Sequence, residues 1–158
     1  MTKEGNYTTE SQVYFYSPQF YVFDNFSAYS VKIWGHVFPT SEHAYQWKKY
    51  INVKPDLAEK IRTANSPSAV KKISDANKEH ADPDFYSKKV SFMEEIIRMK
   101  VTQHEKAQKA LQESEDKEII ENSPVDSFWG IGPDGDGENH LGKIWMRMRN
   151  EFSTHKKF

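Results

Sequence analysis

The 158-residue sequence contains no cysteine. That absence removes a disulfide framework, a thiol nucleophile and any thiolate metal site. Long hydrophobic runs are missing as well. None approaches the roughly 20 apolar residues that a helix needs to span a bilayer, and the N-terminus lacks the apolar core of a signal peptide. The expectation is a cytoplasmic protein with no membrane attachment. Nor is there a surplus of either charge: 22 Lys and Arg stand against 23 Asp and Glu, for a net charge of −1. This argues against a chain built to bind a nucleic-acid backbone non-specifically. The six histidines never pair at a ligand spacing, and HExxH does not occur. The run Asp134-Gly135-Asp136-Gly137-Glu138 resembles the start of a calcium loop, but Asn139 stands where that loop needs glycine and Trp145 where it needs its last glutamate. No metal and no cofactor is expected. Repeats, low-complexity tracts and linkers are also absent, and the length suits one domain with a full core.

What is abundant is aromatic: ten Phe, eight Tyr and four Trp, enough to fill a core and still line a pocket for a flat ligand. Residues 1–12 are polar and read as a flexible N-terminus, followed by a single domain over 13–154. Val13–Tyr16 reads as a strand, Ser17-Pro18-Gln19 as a break, and Phe20–Phe23 as a second extended segment. Asp24–Ser27 is a turn. Val31–Trp34 and His36–Phe38 alternate about Gly35 as a hairpin. Helices are expected over 56–64, 68–78 (capped by Ser66 with Pro67 at its first position), 85–103, 105–112 and 141–152, with a strand at Glu118–Glu121. The fold class is α+β: mostly helical, with a small antiparallel sheet built from the N-terminal strands and the one near Ile119.

The chain is organised around Pro39-Thr40-Ser41-Glu42-His43-Ala44-Tyr45-Gln46-Trp47-Lys48-Lys49. Thr40 or Ser41 caps a helix, and Glu42 lies in its first turn, where the helix favours a carboxylate. At about 100° per residue, Glu42, Gln46 and Lys49 share a stripe roughly 60° wide, with Ala44, Trp47 and Ile51 opposite. An acid, an amide and an amine thus line one face. The plain alternative is an amphipathic helix with a solvated polar face.

Far along the chain comes Asp126-Ser127-Phe128-Trp129-Gly130, then a glycine-rich loop running into the last helix. Gly130-Ile131-Gly132-Pro133-Asp134-Gly135 matches GxGxxG only formally, because Pro133 removes an amide and no βαβ unit surrounds it. The loop is either a surface turn or a close approach to a ligand, with the amides at the start of the final helix and Lys143 available to a phosphate. Asp126 and Trp129 are either a capping acid and a core indole, or a carboxylate that holds a sugar hydroxyl or water beside an indole that stacks on a base. Glycosidic cleavage needs a carboxylate near a developing oxocarbenium ion, a proton for the leaving base, and an aromatic wall.

Together these segments resemble the YbiA, or NADAR (NAD- and ADP-ribose-associated), family. The pieces that carry the resemblance are Phe23-Asp24-Asn25-Phe26, Pro39 to Gln46 with Lys49, Ser66-Pro67, Asp126 to Gly130, and Gly137-Glu138-Asn139-His140-Leu141-Gly142 with Met146 and Arg149. The resemblance implies an α+β fold and N-glycosidic bond hydrolysis. One branch of the family cleaves ribosylamino-pyrimidine phosphates of riboflavin biosynthesis and releases ribose 5-phosphate; another removes ADP-ribose from guanine in nucleic acid. It implies Glu42 as the general acid/base, Asp126 to orient sugar or water, and Lys49 as an amine able to form a Schiff base with the opened sugar. Trp129 and Phe85 would stack the base, and Gln46, Asn25, Gly130, Asn139 and Lys143 complete the substrate-binding set. The expected partner is a small nucleotide-like substrate, with no membrane and no obligate protein partner. ADP-ribosylated nucleic acid is the alternative, with Lys71, Lys72, Lys88 and Lys89 as its basic rim. A third reading is a catalytically silent module that binds a nucleotide or ADP-ribose. This chain departs from the family pattern at Phe85, usually Trp; at Ser74-Asp75, near which the family tends to carry Gly-Arg; and at Trp47, usually small.

Overall fold

The computed structural model describes residues 4–16 and 21–154. They divide into two compact units, one of residues 1–27 with 101–158 and one of residues 28–100. The α+β class expected from the sequence is the observed one.

The first unit holds β1 (Tyr7–Thr8), β2 (Gln12–Phe15), α5 (Glu105–Glu113), β5 (Glu118–Glu121) and α6 (His140–Thr154). Its sheet has the order β1-β2-β5. β1 runs antiparallel to β2, whereas β2 runs parallel to β5 with Val13 opposite Ile119. The antiparallel pair β1–β2 uses residues read as a flexible N-terminus, whereas the pairing of β2 with β5, expected to be antiparallel, is parallel, and the hairpin strands form a separate sheet. A parallel pair needs a long crossover, and here everything from residue 16 to residue 117 supplies it. Val13 and Phe15 alternate inward from β2. Against them pack Phe23, whose ring lies 5.8 Å from Phe15, and the fully buried Trp145 of α6, whose indole N–H donates to the Phe23 carbonyl at 3.1 Å.

The expected extended segment at 20–23 is not a strand over its described part, 21–23; Phe20 and the Ser17–Gln19 break lie outside the described residues. Asp24 explains this. Its backbone N–H donates to the Tyr21 carbonyl (2.8 Å), its carboxylate accepts from Phe26 N–H (3.0 Å), and its carbonyl accepts from the Ser27 hydroxyl (2.6 Å). Such local bonds compete with a ladder and win.

Asn139 closes the far side of β5. It adopts φ 54°, its amide donates to the Ile119 carbonyl (2.9 Å) and its oxygen accepts from Glu121 N–H (2.9 Å). Gly142, one turn into α6, lies so close that a Cβ there would fall on the Ile119 carbonyl oxygen. Glycine to alanine inside a helix ordinarily stabilises by about 0.5–1 kcal/mol. Here Gly142→Ala is expected to destabilise by about 1–3 kcal/mol through overpacking, read as a lower melting temperature. An unchanged or higher value would mean that α6 can move off β5 freely.

The second unit holds the hairpin β3 (Val31–Ile33) and β4 (His36–Phe38), then α1 (Ser41–Tyr50), α2 (Pro55–Arg62), α3 (Pro67–Asp75), a 3-10 turn (Lys78–His80) and α4 (Pro83–Gln103), of which residues 101–103 belong to the first unit. The hairpin pairs Ile33 with His36, which leaves Trp34 (φ 53°) and Gly35 (φ 79°) as two left-handed turn residues, the turn whose twist suits paired strands. That conformation is unusual for a bulky side chain. The Trp34 ring is held by Trp47 of α1 (6.0 Å, nearly parallel) and by the Lys48 ammonium 4.5 Å above it. Trp47 is thus a core residue that anchors the hairpin to α1. Thr40 and Ser66 cap α1 and α3 as expected, accepting from His43 N–H and Ala69 N–H. α3 stops at Asp75 rather than running to Lys78, because the Asn77 side chain bonds back to the Ile73 carbonyl (2.8 Å). Among the described residues no helix is long and apolar enough to cross a membrane.

Candidate active site

α1 is buried along nearly its whole length: every residue from Ser41 to Trp47 is buried, as is Tyr50. A solvated polar face is therefore excluded, and the polar stripe must find its partners inside. Glu42 is 7% exposed and Gln46 6%. The Gln46 amide donates to Glu42 Oε2 at 3.4 Å, and its own oxygen accepts from the Ser74 hydroxyl of α3 at 2.6 Å. The fully buried Tyr50 donates to the Ser74 carbonyl at 2.8 Å.

Lys49 ends the stripe. Its Nζ sits 5.7 Å from the Tyr45 ring, 5.6 Å from Phe85 and 5.9 Å from Tyr86. Burial pushes its pKa below the ordinary lysine value, opposed by the negative charges of Glu42 and Asp75 and assisted by Lys71 and Lys78. An amine with weakened hold on its proton is nearer the free-base form that a base or nucleophile needs.

His43 fixes where this face starts. Its Nε2 lies 3.0 Å from the Ala64 carbonyl and its Nδ1 2.8 Å from the Thr40 hydroxyl. The carbonyl can only accept, so Nε2 carries the proton and Nδ1 accepts from Thr40. Burial lowers the His43 pKa, with the Ala64 bond opposing, and the ring ties the start of α1 to the α2–α3 loop.

Phe85 is not placed as a stacking surface. It is 2% exposed, with Tyr45, Tyr86 and Phe92 around its ring, so it walls Lys49 from within. Its neighbour Tyr86, 47% exposed, is the ring beside Lys49 that reaches solvent. The candidate basic rim is partly neutralised: Asp75 pairs with Lys71 at 3.3 Å and with Lys78 at 3.9 Å.

In the first unit, Asp126, Trp129, Gly130 and Asn139 belong to one loop that folds back on the start of α6. Asp126 Oδ1 accepts from the backbone N–H of Phe128 (2.9 Å) and Trp129 (2.8 Å), which closes a turn over 126–129 rather than capping a helix. Trp129 is half-buried, its ring edge-on to Phe128 at 4.9 Å. Gly130 has no room for a Cβ, which would come within 2.6 Å of the Glu121 carbonyl. Asn25 is buried in the Asp24 turn, and Lys143 is exposed on α6.

The Asn139 carboxamide is engaged by β5 on both its atoms and is buried, so a substrate would reach it only by displacing those bonds. The amides offered to a phosphate are likewise engaged. Those of Glu138, Asn139, His140 and Leu141 donate to the carbonyls of Ser127, Gly130, Phe128 and Trp129 at 2.8–3.0 Å. The loop satisfies the helix start itself.

Asp126→Asn keeps the accepting oxygen and is expected to leave stability unchanged, whereas Asp126→Ala removes it and costs about 1–2 kcal/mol. Denaturant melts of the two variants decide this, and activity retained in Asp126→Asn would confine Asp126 to closing the turn. Among the described residues no cluster of His, Asp or Glu suits a metal ion.

The sequence reading missed Ser74 as a partner of Gln46, Tyr86 beside Lys49, and Lys100, a fully buried lysine 5.5 Å from the Tyr29 ring. Polarity at helical spacing was the available signal only for Ser74, which lies on the same side of α3 as the buried Val70.

The profile of the NADAR domain matches residues 7–153. A riboflavin biosynthesis protein of Vibrio vulnificus is 34% identical over 151 residues, covering 94% of this chain and 41% of that protein. The N-glycosidase YbiA of Escherichia coli is 30% identical over 134 residues, covering 85% of this chain and 82% of YbiA. The NMR structure of E. coli YbiA superposes with a TM-score of 0.83 at 27% identity, over 96% of this chain and 90% of that one. The chain thus spans less than half of the Vibrio protein and most of YbiA.

Proposed function

The chain belongs to the NADAR domain family and is an N-glycosidase by its likeness to relatives of that name, and on that premise we propose that it hydrolyses a ribosylamino-pyrimidine phosphate to ribose 5-phosphate and the free base. The observation that carries the reading is the α1 face: a buried carboxylate at Glu42, held by an amide, on one stripe with an amine whose proton affinity burial has lowered. Relatives named for riboflavin biosynthesis support the substrate class.

Cleaving an N-glycosidic bond leaves positive charge on the sugar and negative charge on the departing nitrogen. Glu42 serves both ends. As an acid it protonates the departing nitrogen; as a carboxylate it stabilises the sugar cation and takes a proton from the attacking water. Burial strengthens both effects, since little water screens the charge. Lys49 offers a second route: its free amine bonds to the sugar C1 as the C1–N bond to the base breaks and Glu42 protonates the departing nitrogen, and water then hydrolyses the sugar–lysine imine to ribose 5-phosphate and the free amine. Tyr86, 47% exposed, is the ring beside Lys49 available to an incoming base. The ADP-ribosyl-guanine reading draws less support, because Asp75, Glu79 and Asp84, all exposed, interrupt its lysine rim.

The test offers a ribosylamino-pyrimidine 5-phosphate and an ADP-ribosylated guanine oligonucleotide in parallel and follows sugar release. Turnover of the small substrate, lost in Glu42→Gln, is the expected result. Release from the oligonucleotide alone would overturn the substrate, and release from neither would overturn the activity.

A further inference from the structure

Ser74 touches no part of the α1 stripe except the far end of Gln46, yet proton counting makes it decisive. The Tyr50 hydroxyl has one proton and spends it on the Ser74 carbonyl at 2.8 Å; its oxygen also lies 3.3 Å from Ser74 Oγ, a longer contact than the one that oxygen makes with Gln46. Ser74 Oγ and Gln46 Oε1 are 2.6 Å apart. Two oxygens that close need a proton between them, and the serine hydroxyl supplies it. With its oxygen held by α3, the Gln46 amide must turn its NH2 toward Glu42 Oε2, 3.4 Å away. The reversed amide would set a carbonyl oxygen against a carboxylate oxygen. Ser74 is 0% exposed and Gln46 6%, so water is not at hand to replace either partner.

We propose that Ser74 is a positioning residue of the glycosidase reaction: it orients the Gln46 amide, and through that amide it holds the Glu42 carboxylate. The proposal rests on the role given to Glu42 above. Without the hydroxyl, Gln46 Oε1 loses its serine donor, the amide is free to turn over, and the carboxylate loses the Gln46 N–H. With both Gln46 polar atoms engaged by Ser74 and Glu42, its effect runs through the Glu42 carboxylate, so the deficit falls on kcat rather than KM.

The experiment compares wild type, Ser74→Ala, Ser74→Thr, Gln46→Ala and the Ser74→Ala/Gln46→Ala pair, by steady-state kinetics on the ribosylamino-pyrimidine phosphate and by NMR of the Gln46 side-chain NH2 and the Glu42 carboxyl carbon. Ser74→Ala is expected to lower kcat roughly 10- to 100-fold, the scale of a small misplacement of a reacting group, with KM within about twofold. Ser74→Thr, which keeps the hydroxyl, should restore much of the loss. Adding Ser74→Ala to Gln46→Ala should change nothing further, because the link is already cut. Both NMR signals should move in Ser74→Ala. Unaltered kcat in that variant, losses that multiply in the pair, or unmoved NMR signals would each overturn the proposal. If the wild type cleaves no N-glycoside, the proposed function falls, and the NMR comparison alone decides whether Ser74 sets Gln46 and Glu42.

Discussion

Glu42→Gln is expected to lower kcat at least ~10²-fold while the melting temperature stays near that of the wild type. The two halves of this result have separate causes. Glutamine presents a carbonyl oxygen where Glu42 Oε2 accepts from Gln46 at 3.4 Å, so the contact and the volume survive, and a buried charge is removed rather than added. What disappears is the exchangeable proton and the negative charge. A second effect follows at Lys49. Glu42 is one of the two charges that oppose the downward push of burial on the Lys49 pKa, so in the variant Lys49 should hold its proton still less firmly. The catalytic loss would therefore come with a more reactive amine, which separates Glu42 from any indirect effect on Lys49 charge. Turnover near the wild-type rate, on protein shown to be folded, would remove Glu42 from the mechanism.

Lys49→Arg and Lys49→Met are each expected to reduce kcat by roughly 10²–10⁴-fold, the range of proton-transfer help. Arginine keeps the charge but neither gives up its proton nor forms an imine under these conditions; methionine keeps most of the chain and loses the nitrogen. Equal loss in both would identify the neutral amine as the active form. The wild-type rate should then rise with pH, and because burial lowers the Lys49 pKa, the rise should be complete below the ordinary lysine value. The linkage to stability has the same sign. The unfolded chain holds this proton to higher pH than the folded one, so stability should increase with pH between the lowered folded pKa and the unfolded value. Lys49→Met should lack that increment. Borohydride added during turnover completes the test: a reduced sugar adduct on Lys49 identifies attack at C1, whereas turnover with no adduct leaves proton transfer as its task. If Lys49→Arg retained full activity, neither role would stand.

The elements legible in the sequence were those specified by neighbouring residues. The hairpin about Gly35 followed from alternation around a turn residue, and α1, α3 and α4 from Thr40, from Ser66 with Pro67, and from Pro83, each a capping or first-turn signal. The β2–β5 pairing was half legible. Both strands are visible locally, but their parallel direction depends on a crossover of about a hundred residues that no local pattern encodes. Of the candidate site, the stripe of Glu42, Gln46 and Lys49 followed from helix geometry alone. Its burial did not, because it depends on what packs against α1. Asp126, Asn139 and the loop amides could not be placed from the sequence for one shared reason. Polar groups beside a glycine-rich loop look available to a ligand until their backbone partners are known, and here they are Phe128, Trp129, β5 and the loop's own carbonyls. Phe85 was similar: an aromatic at helical spacing can face a ligand or a core, and spacing does not say which.

The carboxamide of Asn139 has a consequence beyond its own helix. β5 reads Glu-Ile-Ile-Glu, and a strand with an apolar centre and an unpaired edge is a template for another molecule's strand. Asn139 copies what an added strand would do, giving one N–H and taking one, on the side of β5 away from β2. With the Ile131 N–H, which donates to the Glu121 carbonyl at 3.0 Å, it ends the sheet where many proteins spend a whole strand, a charge or a proline. A variant that lost the carboxamide would open that stretch of β5 and is expected to betray itself first as association between molecules.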